Sequence, residues 1–173
     1  MKMVLSDKTI KELLDSGRLV ITPLESGQIQ PASVDLRIAD EMMILKGDEI
    51  EFGGIKPQYE KIMQDELIIP PKTQVLVRTV ERVELPNDVG GITKLRSSAS
   101  RVGLVFNNAG WVDPGFKGTL TLSVFNSNDC PLKIKPGTRV FQLILFRLDR
   151  DSGGYSGRYL NQHEITGSKS HIG

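Results

Sequence analysis

The stretch that decides the fold runs from position 108 to position 126 and reads Asn108-Ala-Gly-Trp-Val-Asp-Pro-Gly-Phe-Lys-Gly-Thr-Leu-Thr-Leu-Ser-Val-Phe-Asn126. Pro114 presets φ for the first corner of a turn, and Gly115 allows a positive φ at the second. After the turn, aliphatic residues alternate with Thr119, Thr121 and Ser123, which predicts a β-strand with a polar face. We therefore expect a β-hairpin that carries Asp113 at its bend and lines a pocket with its polar face.

The remainder of the chain predicts further strands and one helix. Ser6 can cap a helix whose apolar residues Ile10, Leu13 and Leu14 follow helical spacing, with Gly17 at its end. Short apolar runs bounded by Pro, Gly or Asn then predict strands at Leu19–Ile21, Met42–Leu45, Leu67–Ile69, Val75–Val80, Val102–Phe106, Thr119–Phe125 and Val140–Leu148. Because strands and helices do not alternate, we expect an all-β fold, a mainly antiparallel barrel or sandwich, after a short N-terminal helix.

Composition narrows the class of protein. A chain of 173 residues has room for one well-filled domain, so we expect a single domain over residues 1–173. The formal net charge of +1 gives no argument for nucleic-acid binding. No apolar run approaches the ~20 residues of a membrane helix, and the N-terminus is too short for a secretion signal. We expect a cytoplasmic protein that binds no membrane.

The cysteine content excludes one class of enzyme. Cys130 is the only cysteine, and the two histidines, His163 and His171, lie near the end of the chain. Zinc-dependent nucleobase deaminases require a His-x-Glu and a Pro-Cys-x-x-Cys motif, which this chain lacks. The glycine-rich phosphate-binding motifs of Rossmann and P-loop proteins are also missing. A zinc deaminase and a P-loop enzyme are therefore excluded.

Three clusters are candidates for a site, each with a structural alternative. The basic, hydroxyl-rich segment Lys94–Leu104 suits an anion, although a solvated basic turn has the same composition. Asp35 and Arg37 share a strand face with Ser33, and they either contact a ligand or pair with each other or with a neighbour. Gln142 lies inside an apolar run, where its amide bonds either to the core or to a ligand.

Four motifs in order resemble the dCTP deaminase branch of the dUTPase superfamily. They are Gln30-Pro-Ala-Ser-Val-Asp-Leu-Arg-Ile38, Arg96-Ser-Ser-Ala-Ser-Arg-Val-Gly-Leu104, Ala109-Gly-Trp-Val-Asp-Pro-Gly-Phe-Lys-Gly118 and Gly157-Arg-Tyr-Leu-Asn-Gln162. The resemblance implies a distorted antiparallel β fold, the dUTPase-like β-clip, and a homotrimer with active sites between subunits. It also implies a flexible C-terminal segment, residues 151–173, that closes over a deoxynucleoside triphosphate, and a Mg²⁺ ion bound through the triphosphate with no direct protein ligand.

The resemblance also implies roles for individual residues. Asp113, Arg101 and Ser97 take catalytic positions, with Asp113 activating the water that attacks the α-phosphate. Phe116 takes the place of the aromatic residue that packs on deoxyribose and rejects ribose. The alternative is that Phe116 only packs the core of the turn. The remaining positions implied to bind substrate are Arg96, Ser98, Ala109, Trp111, Val112, Asp35, Gln142, Tyr155, Arg158 and Gln162.

Position 123 departs from the family pattern and decides between activities. The dCTP deaminases that this chain resembles carry a glutamate at this position that shuttles protons, whereas this chain has Ser123. A serine hydroxyl is a poor general acid or base near neutral pH, so the sequence predicts weak or absent deamination. The leading hypothesis is therefore a dUTP diphosphatase that forms dUMP and pyrophosphate. The alternatives are a mono- or bifunctional dCTP deaminase/dUTPase, with Ser123 natural or engineered, and a non-catalytic nucleotide-binding regulatory trimer.

Overall fold

The computed structural model describes residues 4–107 and 110–171. It confirms the predicted class, because the described chain is mostly antiparallel β-structure with little helix. Its elements are α1 (Asp7–Asp15), β1 (Val20–Thr22), β2 (Ile29–Gln30), β3 (Ser33–Lys46), β4 (Gln58–Met63), β5 (Leu67–Ile69), β6 (Gln74–Glu84), β7 (Val89–Leu95), α2 (Ser97–Arg101), β8 (Leu104–Phe106), β9 (Trp111–Val112), β10 (Lys117–Asn126), β11 (Leu132–Ile134) and β12 (Arg139–Arg147).

One curled sheet organises the fold. Seven strands follow one another in the order β8-β10-β6-β3-β12-β7-β9, while β1 pairs with β6, and β2 and β4 pair with β3. A separate two-stranded sheet joins β11 to β5. The long strands β3 and β10 break register with their neighbours, between Ile38 and Met42 and between Thr119 and Thr121. Such irregularities bend a strand and increase its twist, which lets the sheet curl around its core.

The helix α1 forms for the reason that the sequence predicts. The Ser6 hydroxyl caps it by accepting a hydrogen bond from the Thr9 N–H, and Ile10 and Leu13 are buried. Gly17 follows the C-cap residue Ser16 with φ at +69°, a conformation that glycine adopts without steric cost. No helix in the described part of the chain has the length and apolarity that crossing a membrane would require.

The turn in the opening stretch is confirmed, but the hairpin is not. The Phe116 N–H donates to the Asp113 carbonyl at 3.1 Å, and Gly115 has φ at +78°. The strand before the turn, β9, pairs with β7, whereas β10 pairs with β6 and β8. The turn therefore connects distant parts of the sheet, and the predicted local hairpin is wrong because both flanking strands find partners far along the chain.

Candidate active site

A cavity of about 490 Å³ lies between β10, the turn after β9 and the C-terminal segment. Its volume falls within the usual range for small-molecule sites. The cavity brings together these residues that the sequence predicts for the site: Trp111, Val112, Asp113, Phe116, Ser123, Tyr155 and Gln162. It also takes in residues without a predicted role, among them Tyr59, Thr93, Thr121, Tyr159, Thr166 and Ser168.

Asp113 is the one carboxylate among the described residues that line the cavity. The Trp111 indole N–H donates a 2.8 Å hydrogen bond to its Oδ1 atom, and the indole ring packs against Phe146 with the centroids 5.2 Å apart. One carboxylate oxygen is thus fixed in direction by an aromatic side chain. The second oxygen has no protein donor within the described chain, so it can face a water or a ligand hydroxyl.

Phe116 belongs both to the core and to the cavity wall. Its side chain is buried, and its ring meets Tyr155 at a centroid distance of 5.7 Å. The Tyr155 N–H donates to the Pro114 carbonyl at 2.8 Å, which ties the C-terminal segment to the turn. The packing alternative and the ligand role are therefore compatible, since one ring face supports the turn while the side chain still lines the cavity.

Ser123 lies on the inner wall without a partner for its hydroxyl. The residue is 9% exposed, and its Oγ atom has no hydrogen bond within the described chain. An unsatisfied buried hydroxyl is costly, at about 1–3 kcal/mol. The Gln162 side chain also has an unpaired polar atom. Its Nε2 atom donates to the Thr119 carbonyl at 2.6 Å, but its Oε1 atom has no hydrogen-bond partner within the described chain. Two unpaired polar atoms in one cavity are a mark of a site for a polar ligand.

The C-terminal segment covers the cavity along β10. The Thr119 N–H donates to the Gln162 carbonyl at 2.9 Å, and Gly118 forms an isolated bridge with Gln162. Gly118 has φ at +146°, and a Cβ atom there would lie 2.8 Å from the Gln162 carbonyl oxygen. These contacts give the segment a defined seat. Its predicted flexibility, like the single-domain organisation, stays a prediction.

A second group of predicted residues lies outside the cavity lining. We call it the α2 cluster: Arg96, Ser97, Ser98 and Arg101. The segment is a short helix preceded by Arg96, not the turn of the structural alternative. Ser97, Ser98 and Arg101 are exposed. Hydroxyl and guanidinium donors that face solvent on one helical turn can bind phosphate oxygens.

The buried carboxylate of Asp35 contacts the α2 cluster through Arg96. It is only 2% exposed, and its Oδ2 atom lies 3.3 Å from Arg96 Nε and 3.7 Å from Arg139 Nη1. Burial raises the pKa of Asp35, and the charges of Arg96 and Arg139 oppose that rise. Asp35 is therefore placed to orient an arginine and not to reach solvent. Arg37, for which the sequence left open a pair with Asp35 or with a neighbour, binds the buried Glu81, with Nε 2.6 Å from Oε1.

Three further predicted residues differ in how they are placed. Gln142 on β12 is half-buried opposite Asp35 and Lys94, and its amide has no hydrogen-bond partner among residues 4–107 and 110–171. Arg158 is exposed and donates to the Lys169 carbonyl at 3.0 Å, within the C-terminal segment. Ala109 lies outside the described residues.

Sequence reasoning missed the residues that join the cavity from a distance. Tyr59 on β4 accepts a 3.0 Å hydrogen bond from the Ser168 N–H, and the Tyr159 hydroxyl accepts one of 3.1 Å from the Lys169 N–H. The one available signal at this position was an aromatic residue between the polar residues Gln58 and Glu60. It does not identify a partner that lies more than 100 positions away along the chain.

Comparisons with known proteins identify the family of the chain. The dCTP deaminase-like family model matches residues 4–148. The chain is 41% identical over 175 residues to the dCTP deaminase, dUMP-forming, of Sulfurihydrogenibium sp., covering 96% of this chain and 97% of the relative. It is 38% identical over 173 residues to the enzyme of the same name from Aquifex aeolicus, covering 98% and 96%.

Solved structures show the same fold. The 2'-deoxycytidine 5'-triphosphate deaminase of Agrobacterium tumefaciens superposes with a TM-score of 0.68 at 20% identity, covering 84% of this chain. This chain spans about half of that protein, 48% of its length. A dUTPase from phage phi11 of S. aureus superposes with a TM-score of 0.52 at 13% identity, covering 80% of this chain and 99% of the dUTPase.

These relatives overturn the leading functional hypothesis. The prediction of a dUTP diphosphatase is wrong, because relatives at 36–41% identity over nearly the whole chain are named dCTP deaminase, dUMP-forming. They favour the alternative that the sequence left open, and they agree with the prediction of an enzyme of nucleotide metabolism. The single substitution at position 123 favoured hydrolysis alone, whereas the rest of the chain agrees with the deaminases. This chain belongs to the dCTP deaminase-like family.

Proposed function

We propose that this protein converts dCTP into dUMP. One water replaces the cytosine amine, which leaves as ammonia, and a second water cleaves the triphosphate to release pyrophosphate. The observation that carries the proposal is the 41% identity, over 96% of the chain, to an enzyme named for dUMP formation. The cavity supports it, since it offers an aromatic wall, one carboxylate and two unpaired polar atoms.

The hydrolytic half of the reaction is assigned to Asp113. Its carboxylate, oriented by Trp111, accepts a proton from the water that attacks the α-phosphate. Phe116 packs against deoxyribose, where a ribose hydroxyl would find neither space nor a partner. Arg101 and the two serines of the α2 cluster bind the phosphate oxygens. Tyr155, Arg158 and Gln162 belong to the segment that closes over the nucleotide.

The deamination half is assigned to water held by Ser123. The free hydroxyl places a water for attack on C4 of cytosine, and the proton leaves through water because a serine does not titrate near neutral pH. A missing general base lowers a rate by ~10²–10⁴. Deamination is therefore the slow step, and dUTP formed in the cavity is cleaved before it accumulates.

Mg²⁺ is the proposed cofactor. No group of three or more His, Cys, Asp or Glu side chains in the described ranges is arranged to hold a metal ion. An ion carried by the substrate needs no such group, because Mg²⁺ commonly binds through phosphates and keeps several waters. Bound to the triphosphate, the ion would neutralise phosphate charge. The α2 cluster would then hold the complex through the phosphate oxygens that the ion leaves free.

We also propose a homotrimer in which the cavity of one copy faces the α2 cluster of another. The support is that Ser97, Ser98 and Arg101 are exposed and do not line the cavity of their own chain. A triphosphate that leaves the cavity needs cations at its other end. A symmetric assembly supplies them once per interface, because each copy carries both half-sites.

Product analysis tests the proposed function. The protein is incubated with Mg²⁺ and either dCTP or dUTP, and ammonia, dUTP, dUMP and pyrophosphate are measured over time. We expect ammonia, dUMP and pyrophosphate in equal amounts from dCTP, and faster release of pyrophosphate from dUTP. Binding of dCTP without turnover would support the regulatory trimer, and consumption of dUTP alone would also overturn the proposal.

The Ser123→Ala variant tests the assignment of the slow step. Removing a hydroxyl that has no protein partner should lower ammonia release by about 10-fold, since one water loses its fixed position. Pyrophosphate release from dUTP should change little, because that step uses Asp113. Equal ammonia release by the variant and the unmodified protein would show that Ser123 does not hold the attacking water.

A further inference from the structure

A buried carboxylate outside the four family motifs touches the C-terminal segment. Glu41 on β3 is 3% exposed and has three partners. Lys61 Nζ lies 2.8 Å from Oε2, Arg78 Nε binds Oε1, and the Ile165 N–H donates to Oε1 at 3.2 Å. Two partners come from β4 and β6, and the third comes from a residue 124 positions away. Glu41 therefore joins the sheet to the segment that covers the cavity.

Ile165 is the one buried residue between positions 151 and 171. Its side chain is 4% exposed, so it fixes the segment to the body of the protein. The next residues then reach the cavity wall, because the Thr166 N–H donates to Thr121 Oγ1 at 3.1 Å and the Ser168 N–H donates to the Tyr59 hydroxyl. Thr121 and Tyr59 both line the cavity. The position of Ile165 thus determines where the segment crosses the opening.

Gly167 leaves little freedom in that crossing. A Cβ atom at this position would lie 2.3 Å from the Tyr59 ring, so the backbone rests directly on the aromatic side chain. Such close contact requires that the chain approach from one fixed direction. The hydrogen bond from Ile165 to Glu41, two residues earlier, supplies that direction.

We propose that Glu41 is a positioning residue that anchors the C-terminal segment over the cavity through the Ile165 backbone. Its charge makes the hydrogen bond stronger than one to a neutral acceptor. Lys61 and Arg78 balance the charge, so that the buried carboxylate stays ionised. Lys61 also lies 3.5 Å from Glu164, the residue next to the anchor, which holds the segment at a second point. The effect on catalysis rests on the proposed function, whereas the anchor itself does not.

The Glu41→Gln variant tests the anchor, with Glu60→Gln as its matched control. Gln keeps an acceptor for the Ile165 N–H but removes the charge. Glu60 lies on the neighbouring strand β4 in a half-exposed ion pair with Lys46 at 2.6 Å. Hydrogen exchange at the Ile165 and Thr166 amides and tryptic cleavage after Arg158 and Lys169 report on the segment without turnover.

We expect Glu41→Gln to accelerate amide exchange and tryptic cleavage of the segment by about 10-fold, and Glu60→Gln to leave both unchanged. Exchange in the core strand β12 should stay slow, which shows that the sheet remains folded. The KM for dCTP should rise by a similar factor while kcat changes less. Exchange and cleavage at the unmodified rate in Glu41→Gln would overturn the proposal.

A change on the other side of the contact keeps the test valid if Glu41→Gln does not fold. Ile165→Pro removes the N–H donor, while Ile165→Ala keeps it and shortens the side chain. We expect the proline variant to free the segment more than the alanine variant does, and equal release would contradict the anchor. If the unmodified protein does not turn over dCTP but the segment of the variants responds as expected, the proposed function fails and the anchor stands.

Discussion

The cavity and the α2 cluster differ in almost every physical property. The cavity is partly open and partly aromatic, its lining includes one carboxylate in the described chain, and its own C-terminal segment lies across it. The α2 cluster is exposed apart from the half-buried Arg96, and it carries the cations Arg96 and Arg101, with one buried acid, Asp35, behind Arg96. A partly aromatic wall suits a base and a sugar, and exposed hydroxyl and guanidinium groups suit phosphates in water. The two regions therefore recognise different parts of one nucleotide.

The difference also explains why neither region makes a complete site. Buried polar groups of the cavity can select a ligand but cannot neutralise a triphosphate. The exposed serines and arginines can hold phosphate but cannot exclude water. Experiments that separate the two regions therefore test whether they act on the same molecule.

The largest expected effect comes from Asp113→Asn. Loss of the water-activating carboxylate should lower pyrophosphate release from dUTP by ~10²–10⁴, because an amide does not accept the proton. Calorimetry should show nearly unchanged binding of a non-hydrolysable dUTP analogue, since Asn keeps the size of the side chain. Asp129→Asn, which removes an exposed acid paired with Lys72, is the control and should keep full activity. Full turnover by Asp113→Asn would show that the cavity carboxylate does not activate the attacking water.

The second effect is recovery of activity on mixing two inactive variants. Asp113→Asn has a damaged cavity and an intact α2 cluster, whereas Arg101→Ala has the reverse. If each site combines regions from two copies, random assortment of subunits leaves about a quarter of the sites intact. Activity on dUTP should therefore rise to about a quarter of the unmodified level after the mixture is dissociated and reassembled. Activity that stays at the level of the separate variants would place both regions of a site in one copy.

A smaller effect is expected from Asp35→Asn. Without the carboxylate, Arg96 loses its orienting partner, so the KM for dUTP should rise by about 3- to 10-fold. Inhibition by dUMP should be unchanged, because that nucleotide lacks the two outer phosphates. Steady-state kinetics measure both. An equal loss for dUTP and dUMP would mean that Asp35 supports the whole fold and not the α2 cluster in particular.

The smallest effect concerns stability in acid. Burial acts to raise the pKa of Glu41, but hydrogen bonds from Lys61 and Arg78, the charge of Arg78 and the Ile165 N–H together lower it below its ordinary value of 4.5. Its contribution to folding is therefore fully present above pH 4.5 and is lost as pH falls through the lowered pKa.

Thermal melts of the unmodified protein and Glu41→Gln measure this contribution. The difference in Tm should be constant near neutral pH and shrink below pH 4.5. Asp35, whose pKa is raised, contributes with the opposite sign but cancels in the difference between the two proteins. A difference that grows in acid would contradict the assigned direction.

Much of the fold could be predicted from the sequence because the signals for its helix, strands and turns lie within or next to those elements. Ser6 and Gly17 mark the ends of the first helix, and the alternation from Thr119 to Val124 marks β10. The pairing of β9 with β7 could not be predicted, because no residue near Trp111 indicates which strand β9 pairs with. Local signals give elements and turns, and long-range pairing decides their neighbours.

The candidate site divides in the same way. Motif residues such as Asp113 could be named from their surroundings in the sequence, and the structure places one group of them in the cavity and another, the α2 cluster, outside it. Tyr59 and Glu41 could not be named, because their importance arises from contacts with residues more than 100 positions later. The functional hypothesis failed because the substitution at position 123 was given more weight than the four motifs that span the chain.

Gly118 has a consequence for how the site opens. Because Gln162 lies where a side chain at position 118 would be, the cavity wall and its cover are complementary surfaces at that point. A methyl group at position 118 would push Gln162 and its segment away from β10, while Asp113 and Ser123 would keep their positions. The missing side chain at Gly118 thus determines how closely the segment covers the cavity, and with it how much water shares that space with the substrate.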